Sequence, residues 1–292
     1  MLVNTIYQSN RGKNILLNSY ELYLSLLQTE TKRTYVPTRY GSTHVLEIGS
    51  SELKPLVILQ GGNCINPMTL AWFRPLFEEY RIIAPDTIGH PGLSDETRIS
   101  AQDDSFAHWI ADLLQHFGLE KCAFIGPSYG GGIILRLAAY IPERIACAVL
   151  VNPAGIKTGP KMPMILKVLL PLLDFKLRAS SGALRRVADA LSSGSMDEED
   201  RRILGEIFRY VKLERNMPKI AEKEELEGYS APTLILAGKR DIFFPGEEVV
   251  HRAREILPHL TFAHVYNCGH FPAAEEKKKM NGDIRRFLSE FY

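Results

Sequence analysis

The chain has 292 residues, 45% hydrophobic and 24% charged. That composition excludes a disordered chain and leaves room for two domains or one enlarged α/β unit. Thirty-five Lys+Arg against 34 Asp+Glu leave a formal charge of +1, so no global field recruits nucleic acid or an anionic membrane.

Residues 12–30 carry an imperfect helical face of Ile15, Leu16, Leu22, Leu24, Leu26 and Leu27. Thr34–Arg39 and His44–Ile48 read as strands joined by the turn Tyr40-Gly41-Ser42. Leu56–Leu59 is a fully apolar strand, Leu70–Tyr80 is expected to be helical, and Arg81–Pro85 is strand-like. Asp104–Leu119 is an amphipathic helix with Phe106, Trp109, Ile110, Leu113 and Leu114 on one face. Cys122–Gly126, Gly130–Tyr140 and Ala146–Val151 read as strand, helix and strand. Strands apolar on both faces and separated by helices predict a parallel sheet covered on both sides.

The alternation stops after Val151. Residues 156–228 carry no strand signal, and Lys161–Phe175, Gly182–Leu191 and Asp197–Val211 read as helices. It resumes with Thr233–Ala237 (strand), Glu247–Leu257 (helix), Thr261–Tyr266 (strand) and Ala273–Phe291 (helix). The expected organisation is an N-terminal helical extension (1–33), an α/β core (34–155 and 229–292) and a helical cap (156–228).

The longest apolar run, Pro163 to Phe175, contains Lys167, Pro171 and Asp174 and is too broken to span a bilayer. The N-terminal residues lack a secretory signal pattern. Cys64, Cys122, Cys147 and Cys268 are too few and too scattered for a disulfide framework. A cytoplasmic protein without stable membrane insertion is expected.

Gly126-Pro127-Ser128-Tyr129-Gly130 fits G-x-S-x-G. With 17 serines and 22 glycines, chance alone supplies about 0.1 such matches, so the context has to carry the argument. The motif lies between an apolar strand and a helix, where a nucleophilic Ser sits on a strained turn that needs small flanking residues. Gln60-Gly61-Gly62-Asn63 closes the earlier strand. Its Gly62 and the residue after the Ser, Tyr129, are the candidate backbone donors for an oxyanion.

The Ser needs a base, and the base an orienting acid. His270, in Asn267-Cys268-Gly269-His270-Phe271, follows the last strand; the other histidines fall on helices, within strands or in a loop, where surface or packing roles are expected. Asp241 lies just past the preceding strand, whereas one strand earlier the chain offers Asn152, which cannot carry the charge. Asn63 and Phe271 are expected near the substrate. Cys64 and Cys268 lie two residues from Gly62 and His270, either as packed thiols or as sites where thiol reagents block the pocket. Dispersed His and Cys positions predict no metal site, and no dinucleotide or phosphate-loop fingerprint calls for a cofactor.

The order Ser128, Asp241, His270, with the elbow and the Gln60–Asn63 loop, resembles the α/β-hydrolase superfamily across nearly all of residues 35–292. Within it the chain is most similar to bacterial carboxylesterase-like members with a helical cap. The resemblance implies a three-layer α/β-hydrolase fold, a mostly parallel sheet with helices on both faces, and acyl transfer on a small ester-type substrate without a cofactor. Two departures stand out. Gln60 replaces the family's usual His before Gly61. The Asp86–Ser94 loop carries one residue more than the family's pattern, and its Asp86 and His90 are expected to be structural.

A Ser at the elbow argues against epoxide hydrolases and haloalkane dehalogenases, which need a carboxylate there. Thioesterase, amidase, C–C bond hydrolase and perhydrolase chemistry use the same triad, and a non-catalytic ligand receptor on this fold is the different-class alternative. The apolar residues of Met162–Leu173 are expected to pack the cap on the core, or else to form a greasy lid over the acyl pocket; the balanced charge speaks against a lid that touches lipid. Oligomeric state has no signature in the sequence.

Overall fold

The computed structural model describes residues 5–292. Its strands are Lys32–Thr38 (β1), Gly41–Ile48 (β2), Pro55–Ile58 (β3), Arg81–Pro85 (β4), Cys122–Pro127 (β5), Ile145–Val151 (β6), Thr233–Gly238 (β7) and Leu260–Tyr266 (β8). They form one sheet in the order β1-β2-β4-β3-β5-β6-β7-β8. β1 pairs antiparallel with β2, and β2 with β4. All remaining neighbours are parallel.

The helices are Asn10–Leu26 (α1), Asn66–Ala71 (α2), Ser105–His116 (α3), Tyr129–Tyr140 (α4), Lys161–Met164 (α5), Leu170–Arg178 (α6), Ser181–Ser192 (α7), Glu198–Tyr210 (α8), Gly246–Ile256 (α9) and Ala274–Phe291 (α10). Successive side chains of the central strands point to opposite faces, so each strand feeds two cores. Val57, Phe124, Leu150 and Ile235 pack with α3, α4 and α9. Leu56, Ile58, Ile125, Val149 and Leu236 pack with α1, α2 and α10. Both faces are therefore dry, which is why these strands are apolar throughout and not alternating. Trp109 of α3 is fully buried in the first core, and its indole N–H donates to Thr43 Oγ1 at 2.8 Å. Such burial stabilises by about 3 kcal/mol while the polar tip keeps its bond.

The expected helix over Leu70–Tyr80 is not formed. α2 ends at Ala71, and only a single 3-10 turn follows at Arg74–Leu76. Pro75 explains the break: it has no N–H to donate, so the α2 hydrogen-bond ladder cannot run on through it.

Between β6 and β7 the chain forms α5 to α8 around a third cluster of Val168, Phe175, Val187, Leu191, Leu204 and Phe208. A π-helical turn, Ile165–Leu169, joins α5 to α6 just before Pro171, where the regular hydrogen-bond ladder cannot continue. α1 packs against α8: Tyr23 Oη donates to Asp200 at 2.6 Å and Ser19 Oγ to Glu206 at 2.6 Å. Ile242, Phe243 and Phe271 abut the third cluster from the loops after β7 and β8.

Candidate active site

The parallel register brings the carboxyl ends of β3, β5, β6, β7 and β8 to one edge of the sheet: Ile58 pairs with Ile125, Pro127 with Val151, Val151 with Leu236, and Gly238 with Tyr266. Ligands of open α/β sheets bind outside that edge. Each chemically interesting residue of the sequence sits on a loop leaving it.

Ser128 follows β5 directly and has φ 51°, ψ −115°. For a non-glycine residue this backbone costs on the order of 1–3 kcal/mol and persists only where its surroundings enforce it. Here its N–H donates to Val151 O at 2.8 Å, and its carbonyl accepts from Ala154 N at 3.0 Å. The turn also requires bare backbone on both sides. A Cβ on Gly126 would stand 2.4 Å from Gly130 C, and one on Gly130 would stand 2.8 Å from Leu59 O.

Gly61 donates its N–H to Thr69 Oγ1 at 3.1 Å, and Asn63 its N–H to His90 Nδ1 at 3.4 Å. The N–H groups of Gly62, between them, and of Tyr129, at the start of α4, have no partner among the described residues. Gly62 lies against the elbow itself, since a Cβ there would sit 2.9 Å from Tyr129 Cβ. Two unspent donors thus flank the serine, and α4 points its positive dipole end the same way.

His270 and Asp241 meet: Nδ1 lies 2.7 Å from Asp241 Oδ2. The other carboxylate oxygen, Oδ1, accepts from Phe243 N at 2.8 Å and Phe244 N at 3.1 Å. Asp241 is buried, so these three bonds satisfy a carboxyl group that water cannot reach. The imidazole is walled by Phe243 and Phe244, with ring centroids 5.1 and 5.7 Å away. Neither the Nε2 of His270 nor Ser128 Oγ forms a hydrogen bond among the described residues.

The Asn63 side-chain amide donates to Glu214 O at 3.0 Å and accepts from Glu214 N at 2.7 Å, so it ties the β3 loop to the segment after α8. Phe271 is half-buried beside Trp72 at 5.6 Å and His270 at 5.8 Å, and its N–H donates to Leu191 O of α7 at 3.0 Å.

Asp86 accepts from Tyr20 Oη at 2.9 Å and Leu93 N at 2.8 Å, and lies 3.1 Å from His44 Nδ1. It organises its loop from the buried side of the sheet. Burial drives the pKa of His90 down to about 3, with Arg98 acting in the same direction, so this ring is neutral and serves as an acceptor. Gln60 directly precedes Gly61 and is fully buried. Its amide donates to Cys64 O and to Pro91 O (3.0 Å), and its oxygen accepts from Thr87 N at 2.8 Å. One side chain thereby joins the β3 and β4 loops. Cys64 and Cys268 are buried, and burial pushes both thiols up to about 12, away from the reactive thiolate.

The residue that sequence reasoning passed over is Asn152. At φ 45° after β6, its Oδ1 accepts from Gly238 N at 2.7 Å, and its Nδ2 donates to His270 O at 2.9 Å. It clamps together the loops that carry Asp241 and His270. An Asn at a strand end, in the place where an acid is sought, was the available signal.

The sheet order, the strained serine turn and the loops leaving its carboxyl edge are those of the α/β-hydrolase fold. A family model described as the alpha/beta hydrolase fold matches residues 54–181. Over 287 residues the chain is 26% identical to an uncharacterized carboxylesterase, nap, of Bacillus subtilis, covering 93% of this chain and 91% of that protein. It is 25% identical over 284 residues to the carboxylesterase YbfK of the same organism, with 92% of each covered. The crystal structure of naproxen esterase from Bacillus subtilis superposes with a TM-score of 0.81 at 25% identity, over 96% of this chain and 99% of that one. Within the fold, the chain resembles the carboxylesterase-like branch.

Proposed function

We propose that the chain is a serine hydrolase that cleaves carboxylic esters through an acyl-enzyme on Ser128. The observation that carries this proposal is a strained Ser with unspent Gly62 and Tyr129 N–H groups on the same sheet edge whose later loops hold the His270–Asp241 pair at 2.7 Å. The carboxylesterase relatives favour an ester over the other acyl groups that this arrangement could accept.

In the first half-reaction His270 Nε2 takes the Ser128 proton as Oγ attacks the ester carbonyl. Charge develops on the carbonyl oxygen, where the two N–H groups stabilise it by roughly 3 kcal/mol each. His270 then protonates the leaving alcohol. In the second half-reaction it deprotonates water, which attacks the acyl carbon and releases the acid, and the proton returns to Ser128. Asp241 holds the imidazole tautomer that leaves Nε2 free to accept, and it stabilises the cation that forms. The helices α5 to α8 act as the cap, so the acyl group would lie between Phe243, Phe271 and that segment.

A fluorophosphonate probe and a series of p-nitrophenyl esters, with thioester and amide controls, test the proposal. Ser128→Ala should abolish labelling and lower kcat by about 10⁴–10⁶ while leaving the fold intact. Near-normal ester turnover by this variant would refute the assignment. An unlabelled, inactive wild-type chain that still binds small esters would instead indicate a receptor.

A further inference from the structure

The outer face of the helix pair α5–α6 is apolar and uncovered. Met162, Leu166, Leu169, Leu170, Leu173 and Leu177 are 46–75% exposed. At 100° per residue they fall within an arc of roughly 100°. The opposite side of the same helices holds the buried Val168, Pro171 and Phe175. The outward side chains thus neither pack the segment on the core nor face the acyl pocket, the two roles expected for Met162–Leu173.

Charge is distributed unevenly around this face. Across α5, α6 and α7, residues 161–192 hold six basic side chains (Lys161, Lys167, Lys176, Arg178, Arg185 and Arg186) against Asp174 and Asp189. All six bases are exposed. The net +4 sits in a chain whose total is only +1, so the balance seen in the composition is an average over a polarised surface. Lys167 and Arg178 project to one side of the apolar arc, and Lys161 and Lys176 to the other, a geometry in which stems can lie along apolar matter while the charges reach its polar boundary. The basic character continues into a cavity of about 630 Å³ between α1, α6, α7 and α8. There Glu198 and Glu206 pair with Arg201 and Arg202, whereas Arg185 and Arg209 have no carboxylate partner among the described residues.

We infer that this face docks the protein peripherally on an anionic lipid surface, with the six apolar side chains entering the acyl boundary and the flanking cations meeting the headgroups. Charge selects this occupant over a second copy of the chain. Two such faces brought together about a two-fold axis would oppose +4 to +4 across a leucine contact. No helix among the described residues is long and apolar enough to cross a membrane, in keeping with an element that lies on the surface. The inner side of the docked segment abuts Phe243 and Phe271, so a lipid surface would be held on the far side of the helices that border the candidate site.

Cosedimentation of the full chain with vesicles tests this without any measure of turnover, so its outcome is separate from that of the serine assignment. The vesicles are phosphatidylcholine alone or mixed with phosphatidylglycerol, at low and high salt. The wild type should bind the mixed vesicles, and high salt should weaken that binding at least ~10-fold. Leu166→Gln, Leu170→Gln and Leu173→Gln combined should reduce binding at least ~10-fold with an unchanged Tm, because the replaced side chains are already exposed. Lys167→Glu with Lys176→Glu should cost at least ~10-fold on mixed vesicles only. Failure of the wild type to bind mixed vesicles at low salt would overturn the inference, as would equal binding by both variants. A wild-type dimer in light scattering that ignores vesicles and separates in the leucine variant would overturn it in favour of a self-interface.

Discussion

Replacing Asn152 by Ala removes a clamp whose two ends lie 86 and 118 residues away in the chain. The side chain is 1% exposed, so water cannot take over its bonds. Gly238 N–H and His270 C=O would each lose a partner inside the protein, at about 1–3 kcal/mol apiece. Ala must also occupy φ 45°, where Asn is at ease and Ala is not, adding about 1 kcal/mol. The total is about 3–7 kcal/mol, a large share of the roughly 5–15 kcal/mol that holds a typical domain. For a chain of 292 residues this lowers Tm by about 5–11 °C. Because the freed groups belong to the loops that carry Asp241 and His270, kcat/KM should fall by about 10–100-fold. Asn152→Asp separates position from packing. It keeps an acceptor for Gly238 N–H, sets an oxygen against the His270 carbonyl, and brings negative charge toward the imidazole, so the acid limb of the kcat/KM profile should move to higher pH. Differential scanning calorimetry and pH–rate profiles on p-nitrophenyl esters supply both readouts. An Ala variant that melts within about 1 °C of the wild type with unchanged kcat/KM would refute the reasoning.

Two further expectations concern the loops around Ser128. Gly62→Ala drives a methyl into Tyr129 Cβ at 2.9 Å and should displace a proposed oxyanion donor, lowering kcat by about 10²–10³-fold with KM little changed; a variant with wild-type kcat would place the donor elsewhere. His90 is held neutral in the fold, with a pKa near 3 against an ordinary value of 6.5. The unfolded chain therefore takes up a proton that the folded chain refuses, and stability drains as pH falls from about 6.5 toward 3. His90→Gln should flatten that slope by about 1.4 kcal/mol per pH unit in urea titrations between roughly pH 6 and 4; an unaltered slope would mean that His90 protonates in place.

Much of the fold and the candidate site can be read locally. Central strands buried on both faces must be apolar throughout, so Leu56–Leu59 and Cys122–Gly126 announce themselves. A strained serine turn must be flanked by glycines because Gly130 backbone occupies the place of any Gly126 side chain. The misread helix at Leu70–Tyr80 was legible too, since Pro75 stands within it. Asn63 was not: whether its amide meets a ligand or Glu214 depends on a segment 151 residues distant.

The sequence by itself therefore determined the layered α/β class, the serine turn and the chain order of the candidate Ser, Asp and His. Each of these rests on the sterics and polarity of a few adjacent residues. Only the tertiary structure decided that Asn152 joins the Asp241 and His270 loops, that Gln60 braces the β3 loop, and that the apolar residues of α5 and α6 face outward amid a net +4. Those facts belong to pairs and surfaces assembled from distant parts of the chain. A near-zero total charge carries no record of where on the surface the charges lie.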